Sequence, residues 1–213
     1  PDLFSLLLGA SGGPKWFILA ALDRYLFGDY LQRSTRPLAV LGSSVGAWRH
    51  ACLAQDDPVA AIDRFAESYL GQVYPARPDA AEVSRTSLAT LDHLLGSAGA
   101  GAIASHPRIT THIVTARGRG PCGAAGGPLL ALGLAAAASA NALARPALAA
   151  TFQRVLFCSG GGAGAPTLPG FATRRAPLTA DNVRAVLHAS GSIPFLLAGE
   201  RDIAGAPPGH YWD

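Results

Sequence analysis

Runs of apolar residues and regular apolar spacings alternate along this chain, and together they predict strands that alternate with helices. Residues 3–8 form a short apolar run that ends at Gly9, which is typical of a buried strand. Over residues 15–31, apolar side chains recur every three or four positions with charged residues between them. This spacing predicts an amphipathic helix, and Pro14 suits its first turn because its missing N–H would have no partner there.

The same alternation continues along the rest of the chain. Further predicted strands cover 38–41, 109–116, 154–158 and 210–212. Further predicted helices cover 47–54, 58–70, 79–95, 128–143 and 181–189, with a resumed helix at 147–153, and glycine-rich connections are expected at 96–104, 118–127 and 160–164. Such a succession favours an α/β fold with a mainly parallel central sheet that is covered on both faces.

The composition supports one folded domain and argues against several classes of function. Of the 213 residues, 49% are hydrophobic and 15% are charged, so we expect a single domain over 1–213. We also expect this domain to continue on its C-terminal side, because the chain closes on Asp213 without a natural-looking terminus. The net charge of +3 is spread without a basic run, which argues against nucleic-acid binding. No group of histidines, cysteines or carboxylates has metal-ligand spacing, so we expect no metal and no cofactor. The three widely spaced cysteines are consistent with a reducing cytoplasm.

The pentapeptide Gly42-Ser43-Ser44-Val45-Gly46 lies between a predicted strand and a predicted helix. A serine in G-x-S-x-G at such a junction is held on a tight turn, since the glycines let the backbone pass where a Cβ would clash. Its hydroxyl is then exposed at a helix N-terminus, where developing negative charge is favoured. Ser44 is therefore a candidate nucleophile, and the alternative is an ordinary strand-to-helix turn.

A second glycine-rich loop, Ser11-Gly12-Gly13-Pro14-Lys15, follows the first predicted strand. In a parallel sheet this loop opens at the same carboxyl edge as the Ser44 turn. The backbone N–H groups of Gly12 and Gly13 are not hindered by side chains and could hold an oxyanion, and Lys15 could add positive charge. The alternative is a tight turn with a solvated lysine.

The sequence marks the general base less clearly than the nucleophile. Among the histidines, His50, His93 and His112 lie within predicted helices or a strand, where core or surface roles are expected. His210 and His188 are the candidates for a Ser-His arrangement. Neither has a sequence context that demands catalysis.

Four short motifs, taken in order, resemble those of the patatin-like phospholipases. They are the loop Gly12-Gly13-Pro14-Lys15, the Ser44 turn, the segment Ala189-Ser190-Gly191-Ser192-Ile193-Pro194 and the final Tyr211-Trp212-Asp213. The resemblance extends from Gly9 to Asp213. It departs from the family pattern in the first loop, where Ser11 and Trp16 replace glycines and Lys15 replaces an arginine.

The resemblance implies a three-layer α/β/α sandwich and a lipid acyl hydrolase that forms an acyl-enzyme intermediate. In that family a Ser-Asp dyad works without histidine, which makes Ser44 the nucleophile and Asp213 the base. It further implies an oxyanion hole at Gly12, Gly13 and Lys15, a phospholipid or other acyl-ester substrate, and transient contact of a cytoplasmic protein with a membrane surface.

Two alternatives to this interpretation stay open. One is an α/β-hydrolase or acyltransferase that uses Ser44 with His210 or His188. The other is a catalytically silent domain of the same fold that binds lipid or protein.

A competing motif, Gly118–Gly123, matches G-x-G-x-x-G and follows a predicted strand. A dinucleotide site would require an acidic residue about 20 positions further on, at the end of a second strand. The next acidic residue is Asp181, and Pro121 removes a backbone donor where a phosphate would bind. We therefore expect a surface loop here.

Overall fold

The computed structural model describes residues 1–170 and 172–213 and shows a mixed α/β fold built on a mostly parallel open sheet. Its strands are β1 (Leu6–Gly9), β2 (Leu38–Gly42), β3 (Ile109–Gly118), β4 (Phe152–Cys158), β5 (Thr173–Pro177), β6 (Glu200–Arg201) and β7 (His210–Trp212). Strands β1 to β5 are neighbours in sequence order, and β7 pairs with β3 and with β6. The pairs β1–β2, β2–β3 and β4–β5 are parallel, whereas β3–β4 is antiparallel.

The helices follow the predicted pattern over most of the chain. They are α1 (Ala20–Tyr25), α2 (Val45–Leu53), α3 (Pro58–Leu70), α4 (Ala80–Leu95), α5 (Gly99–Ser105), α6 (Gly127–Leu143) and α7 (Val183–Ser190). The carboxylates of Asp57 and Asp79 cap α3 and α4 by accepting backbone N–H groups at 2.9 and 2.7 Å. The predicted helix starts near 58 and 79 are confirmed, and these caps explain why the helices begin there.

Three predicted elements differ from the structure. The helix expected over 15–31 is broken into a 3-10 segment (Gly13–Leu19), α1, a π turn (Leu26–Tyr30) and a second 3-10 turn. The connection expected at 96–104 contains α5, because Ile103 is fully buried and this packing overrides a glycine-rich sequence. The helix expected at 147–153 is instead a 3-10 segment that leads into β4.

The hydrophobic core holds the first glycine loop against the helices. Trp16, which follows that loop, is 2% exposed and stacks on Phe65 of α3 with ring centroids 4.3 Å apart. Trp48 of α2 also contacts Phe65, at 5.5 Å. The loop is therefore anchored by an aromatic cluster next to the start of α2. None of the helices in the described residues is long and apolar enough to cross a membrane.

The register of the sheet brings the ends of β2 and β7 together. On one side of β3, Gly42 of β2 pairs with Ile113, and β2 ends there. Further along β3, Ala116 pairs with Trp212 of β7, and β7 runs antiparallel to β3. β2 and β7 therefore run in opposite directions, and their carboxyl ends face each other. Ser43, Ser44 and Asp213 lie in the gap between the two strands.

Candidate functional site

Ser44 lies at the junction of β2 and α2 in a conformation that few residues adopt. Its backbone has φ 54° and ψ −135°, and it precedes the first helical residue, Val45. A non-glycine residue at positive φ is strained, and such strain is concentrated at functional sites. The predicted turn is thus present, with the serine at the N-terminus of a helix.

The glycines of the pentapeptide are required by close backbone contacts. A Cβ on Gly46 would lie 2.2 Å from the carbonyl oxygen of Gly9, and one on Gly42 would lie 2.5 Å from the Cα of Ala47. Both distances are far below van der Waals contact, so neither position tolerates a side chain without a backbone shift. The start of α2 therefore packs directly on the end of β1.

A buried serine that sequence reasoning left without a role holds the Ser44 turn in place. The Oγ of Ser190 accepts the backbone N–H of Ser44 at 3.0 Å and donates to the carbonyl of Val114 at 2.7 Å. Ser190 has no exposed surface. The resemblance had included this residue in the 189–194 segment, but only the fold shows that it bridges β3 and the turn.

Replacing Ser190 with alanine is expected to destabilise the protein by about 1–3 kcal/mol, because a backbone donor and a backbone acceptor both lose their buried partner. Urea unfolding followed by circular dichroism measures the change. Ser139→Ala is the matched control, since the Ser139 hydroxyl is exposed and bonds only to the carbonyl one turn earlier in α6. Equal effects of the two substitutions would contradict the assigned role.

Asp213 lies beside the turn and interacts with both of its serines. The hydroxyl of Ser43 donates to Oδ1 of Asp213 at 3.1 Å, and the hydroxyl of Ser11 lies 3.4 Å from that of Ser43. The backbone N–H of Asp213 donates to the carbonyl of Ser192 at 3.0 Å. Hydrogen bonds therefore hold both the backbone and the side chain of Asp213. Ser43 is a contact that sequence reasoning missed, since the motif treats its position as variable.

Partial desolvation by its protein neighbours raises the pKa of the Asp213 carboxyl above its ordinary value of 3.8, although the residue as a whole is exposed to solvent. Hydrogen bonding with Ser44, and then with Ser43, opposes this rise. A carboxylate with a raised pKa is a better proton acceptor than one in water. The only titratable group bonded to the turn, within the described residues, is thus shifted in the direction that a general base requires.

The loop after β1 offers backbone donors beside Ser44. Gly13 lines the same cavity as Ser44, and its φ of 52° favours glycine. Within the described residues, neither Gly12 nor Gly13 donates its N–H to a protein acceptor. The N–H of Lys15, by contrast, donates to the carbonyl of Gly12 at 3.3 Å. Gly12 and Gly13 are therefore the available donors of the predicted set, and the Lys15 amide is already engaged.

An apolar cavity of about 430 Å³ opens at Ser44. Its wall is formed by the first glycine loop, α2, α4, the segment after α3 and the segment after α7. The lining residues are Gly13, Pro14, Ser44, Val45, Trp48, Tyr69, Gln72, Tyr74, Pro78, Val83, Ser87, Gly191, Ile193, Leu196 and Leu197. None of these carries a formal charge. The cavity suits the apolar part of a ligand whose reactive group would lie at Ser44.

The two histidines weighed as alternative bases are engaged elsewhere. Nδ1 of His188 lies 2.7 Å from Oε1 of Glu200, and His188 is almost fully buried. Nε2 of His210 contacts the carbonyl of Ala198 at 2.7 Å, and its ring stacks on Trp212. Neither ring lines the cavity. Among the described residues, the structure therefore places a carboxylate rather than an imidazole beside the serine.

The remaining motifs form structural features. The motif Gly118–Gly123 runs from the last residue of β3 into a 3-10 turn (Gly120–Gly123) that packs closely on it, since a Cβ on Gly118 would lie 2.0 Å from the carbonyl oxygen of Cys122. All three cysteines are buried and free. In the described part of the chain, no group of three or more histidine, cysteine or carboxylate side chains is placed to hold a metal ion.

No protein-family model, curated protein or solved structure matches the chain.

Proposed function

We propose that this protein is a serine acyl hydrolase that cleaves lipid carboxylic esters through a Ser44–Asp213 dyad. The single observation that carries the proposal is the position of Ser44, which lies on a strained turn between an apolar cavity and the Asp213 carboxyl. The preference for lipids, and a patatin-like α/β/α sandwich as the finer fold, rest on the motif resemblance. The mixed α/β fold is compatible with an α/β/α sandwich.

In the first half-reaction, Ser44 attacks the ester. Asp213 accepts the hydroxyl proton while Oγ of Ser44 bonds to the acyl carbon, and the carbonyl electrons move to oxygen. The N–H groups of Gly12 and Gly13, together with the N-terminal end of α2, stabilise that oxyanion. The C–O bond to the leaving alcohol then breaks, and the alcohol takes the proton from Asp213. The products are a free alcohol and an acyl-Ser44 ester.

In the second half-reaction, water replaces the alcohol. Asp213 accepts a proton from the water as its oxygen attacks the acyl carbon, and the same donors hold the second oxyanion. The bond to Oγ of Ser44 breaks, and the proton returns from Asp213 to the serine. A carboxylic acid leaves the cavity, and both residues regain their starting protonation.

The cavity predicts a preference for longer acyl chains. With p-nitrophenyl esters of increasing chain length, kcat/KM is expected to rise roughly fourfold per added methylene until the cavity of about 430 Å³ is filled. Val83→Trp narrows the cavity and should move the plateau to shorter chains. A rate independent of chain length would argue against acyl binding in this cavity. No hydrolysis of any ester would contradict the proposed function itself.

A further inference from the structure

Helix α6 presents an apolar surface that the rest of the described chain leaves uncovered. No charged residue occurs from Gly120 to Ala144, and only Leu130, Gly133 and Ala137 of the helix are buried. Leu132 is 69% exposed. Uncharged helices of this kind normally lie inside a protein or a membrane. With 17 residues, α6 is too short to span a bilayer, so an apolar partner would lie along its exposed side.

Arginines that form no ion pair within the described residues precede and follow this helix. Between residues 93 and 180 the sequence has no aspartate or glutamate, and Arg119 and Arg145 flank the segment that contains α6. Within residues 1–170 and 172–213, neither of them nor Arg174 forms an ion pair. The exposed side of α6 is therefore apolar, and the arginines that flank it in sequence add positive charge.

These arginines are far apart in sequence, and the fold brings them towards one another. Nη1 of Arg119 donates to the carbonyl of Ala149 at 2.7 Å, which holds it against the 3-10 segment that begins at Arg145. Arg119 and Arg174 line one cleft of about 220 Å³. Burial and the nearby charge of Arg145 both lower the pKa of Arg154. A positive potential thus extends from the end of α6 to β5.

The sheet places this surface at the same edge as the Ser44 turn. β2 ends opposite Ile113, while β3 continues to Gly118 before the chain turns into α6. Because β2 and β3 are parallel, the Ser44 turn and the start of α6 both follow the carboxyl ends of neighbouring strands. A flat partner that contacted α6 would face the edge of the sheet where the proposed chemistry occurs.

We propose that α6, with Arg119, Arg145 and Arg174, docks the protein on a bilayer that contains anionic lipids. Exposed leucines enter the boundary between headgroups and acyl chains, and the flanking guanidinium groups bind lipid phosphates. The proposal extends the lipid hydrolase function to a membrane-bound substrate. It rests on a different surface from the Ser44 site, so binding and turnover can fail separately.

Co-sedimentation of the full chain with vesicles tests the docking surface. We expect binding to phosphatidylcholine mixed with phosphatidylglycerol, little binding to phosphatidylcholine alone, and weaker binding as salt is raised. The double substitution Leu129→Gln with Leu132→Gln should weaken binding at least about tenfold. Arg145→Gln and Arg174→Gln should each weaken it roughly fivefold at low ionic strength.

Matched controls distinguish binding through this surface from nonspecific binding to vesicles. Leu3→Gln with Ile18→Gln removes two apolar side chains elsewhere that are more exposed than Leu129 and Leu132, and Arg33→Gln removes an arginine outside the patch; both variants should bind like the wild type. Hydrolysis of a soluble short-chain ester should be unchanged in the α6 variants. Equal binding to neutral vesicles, no vesicle binding, or normal binding by the α6 variants would overturn the proposal. An α6 variant that dissociates a wild-type dimer would also overturn it, because a second copy of the chain would then cover the helix.

Discussion

Ser44→Ala is expected to reduce ester turnover by about 10⁴-fold or more, because the substitution removes the oxygen that forms the acyl-enzyme bond in the proposed mechanism. Alanine at this position keeps the backbone N–H that Ser190 accepts, so the turn should survive. The loss should therefore appear in kcat rather than in stability. Stopped assays with a medium-chain ester, together with thermal unfolding of both proteins, measure the two effects separately.

The neighbouring serine provides the control for this substitution. Ser43→Ala removes a hydroxyl one residue away that binds Asp213 but does not line the cavity. The loss of one hydrogen bond to a charged group corresponds to about tenfold in rate. If Ser43→Ala abolished turnover and Ser44→Ala did not, the assignment of the nucleophile would be wrong.

Asp213→Asn is expected to lower kcat/KM by about 10²- to 10⁴-fold, the usual contribution of a positioned general base. The amide is nearly isosteric, and its oxygen can still accept the hydroxyl of Ser43. In the proposed mechanism, activity requires the ionised carboxylate. Because partial desolvation raises the pKa of Asp213 above 3.8, the acid limb of the kcat/KM profile should lie above that value, with activity lost as the pH falls through it.

A pH profile distinguishes this dyad from a Ser-His arrangement. Loss of the base should remove the acid limb together with most of the rate in Asp213→Asn. The variants His188→Gln and His210→Gln should keep both, since these rings are bonded to Glu200 and to Ala198. An Asp213→Asn variant with wild-type turnover, or loss of activity in one of the histidine variants alone, would show that the base lies elsewhere.

The Ser44 turn could be predicted from the sequence because backbone sterics at its glycines determine it. Gly42 and Gly46 are required wherever β2 passes into α2 against β1, so the motif reports the conformation directly. The caps at Asp57 and Asp79 are equally local, which is why two helix starts were predicted well. These features depend on contacts between residues that are close in sequence, or on backbone packing at glycine.

What the sequence could not predict depends on contacts between distant segments. Ser190 reaches the Ser44 turn across 146 positions, and no pattern around it signals a hydrogen bond to that N–H. The meeting of β2 and β7 follows from the register of both strands on β3, which the spacing of apolar residues does not encode. Strand β5 was not predicted because its exposed arginines interrupt the apolar pattern that is typical of a strand, although it pairs with β4. Tertiary context decides each of these.

Reaction of the intact protein with a fluorophosphonate, followed by mapping of the modified peptide, tests whether Ser44 is the nucleophile and Asp213 its base. The probe requires an activated serine next to oxyanion donors and reacts poorly with ordinary surface hydroxyls. The account predicts a single adduct on Ser44 whose formation slows strongly in Asp213→Asn. No adduct on the folded protein, or an adduct on another serine such as Ser43 or Ser11, would contradict it.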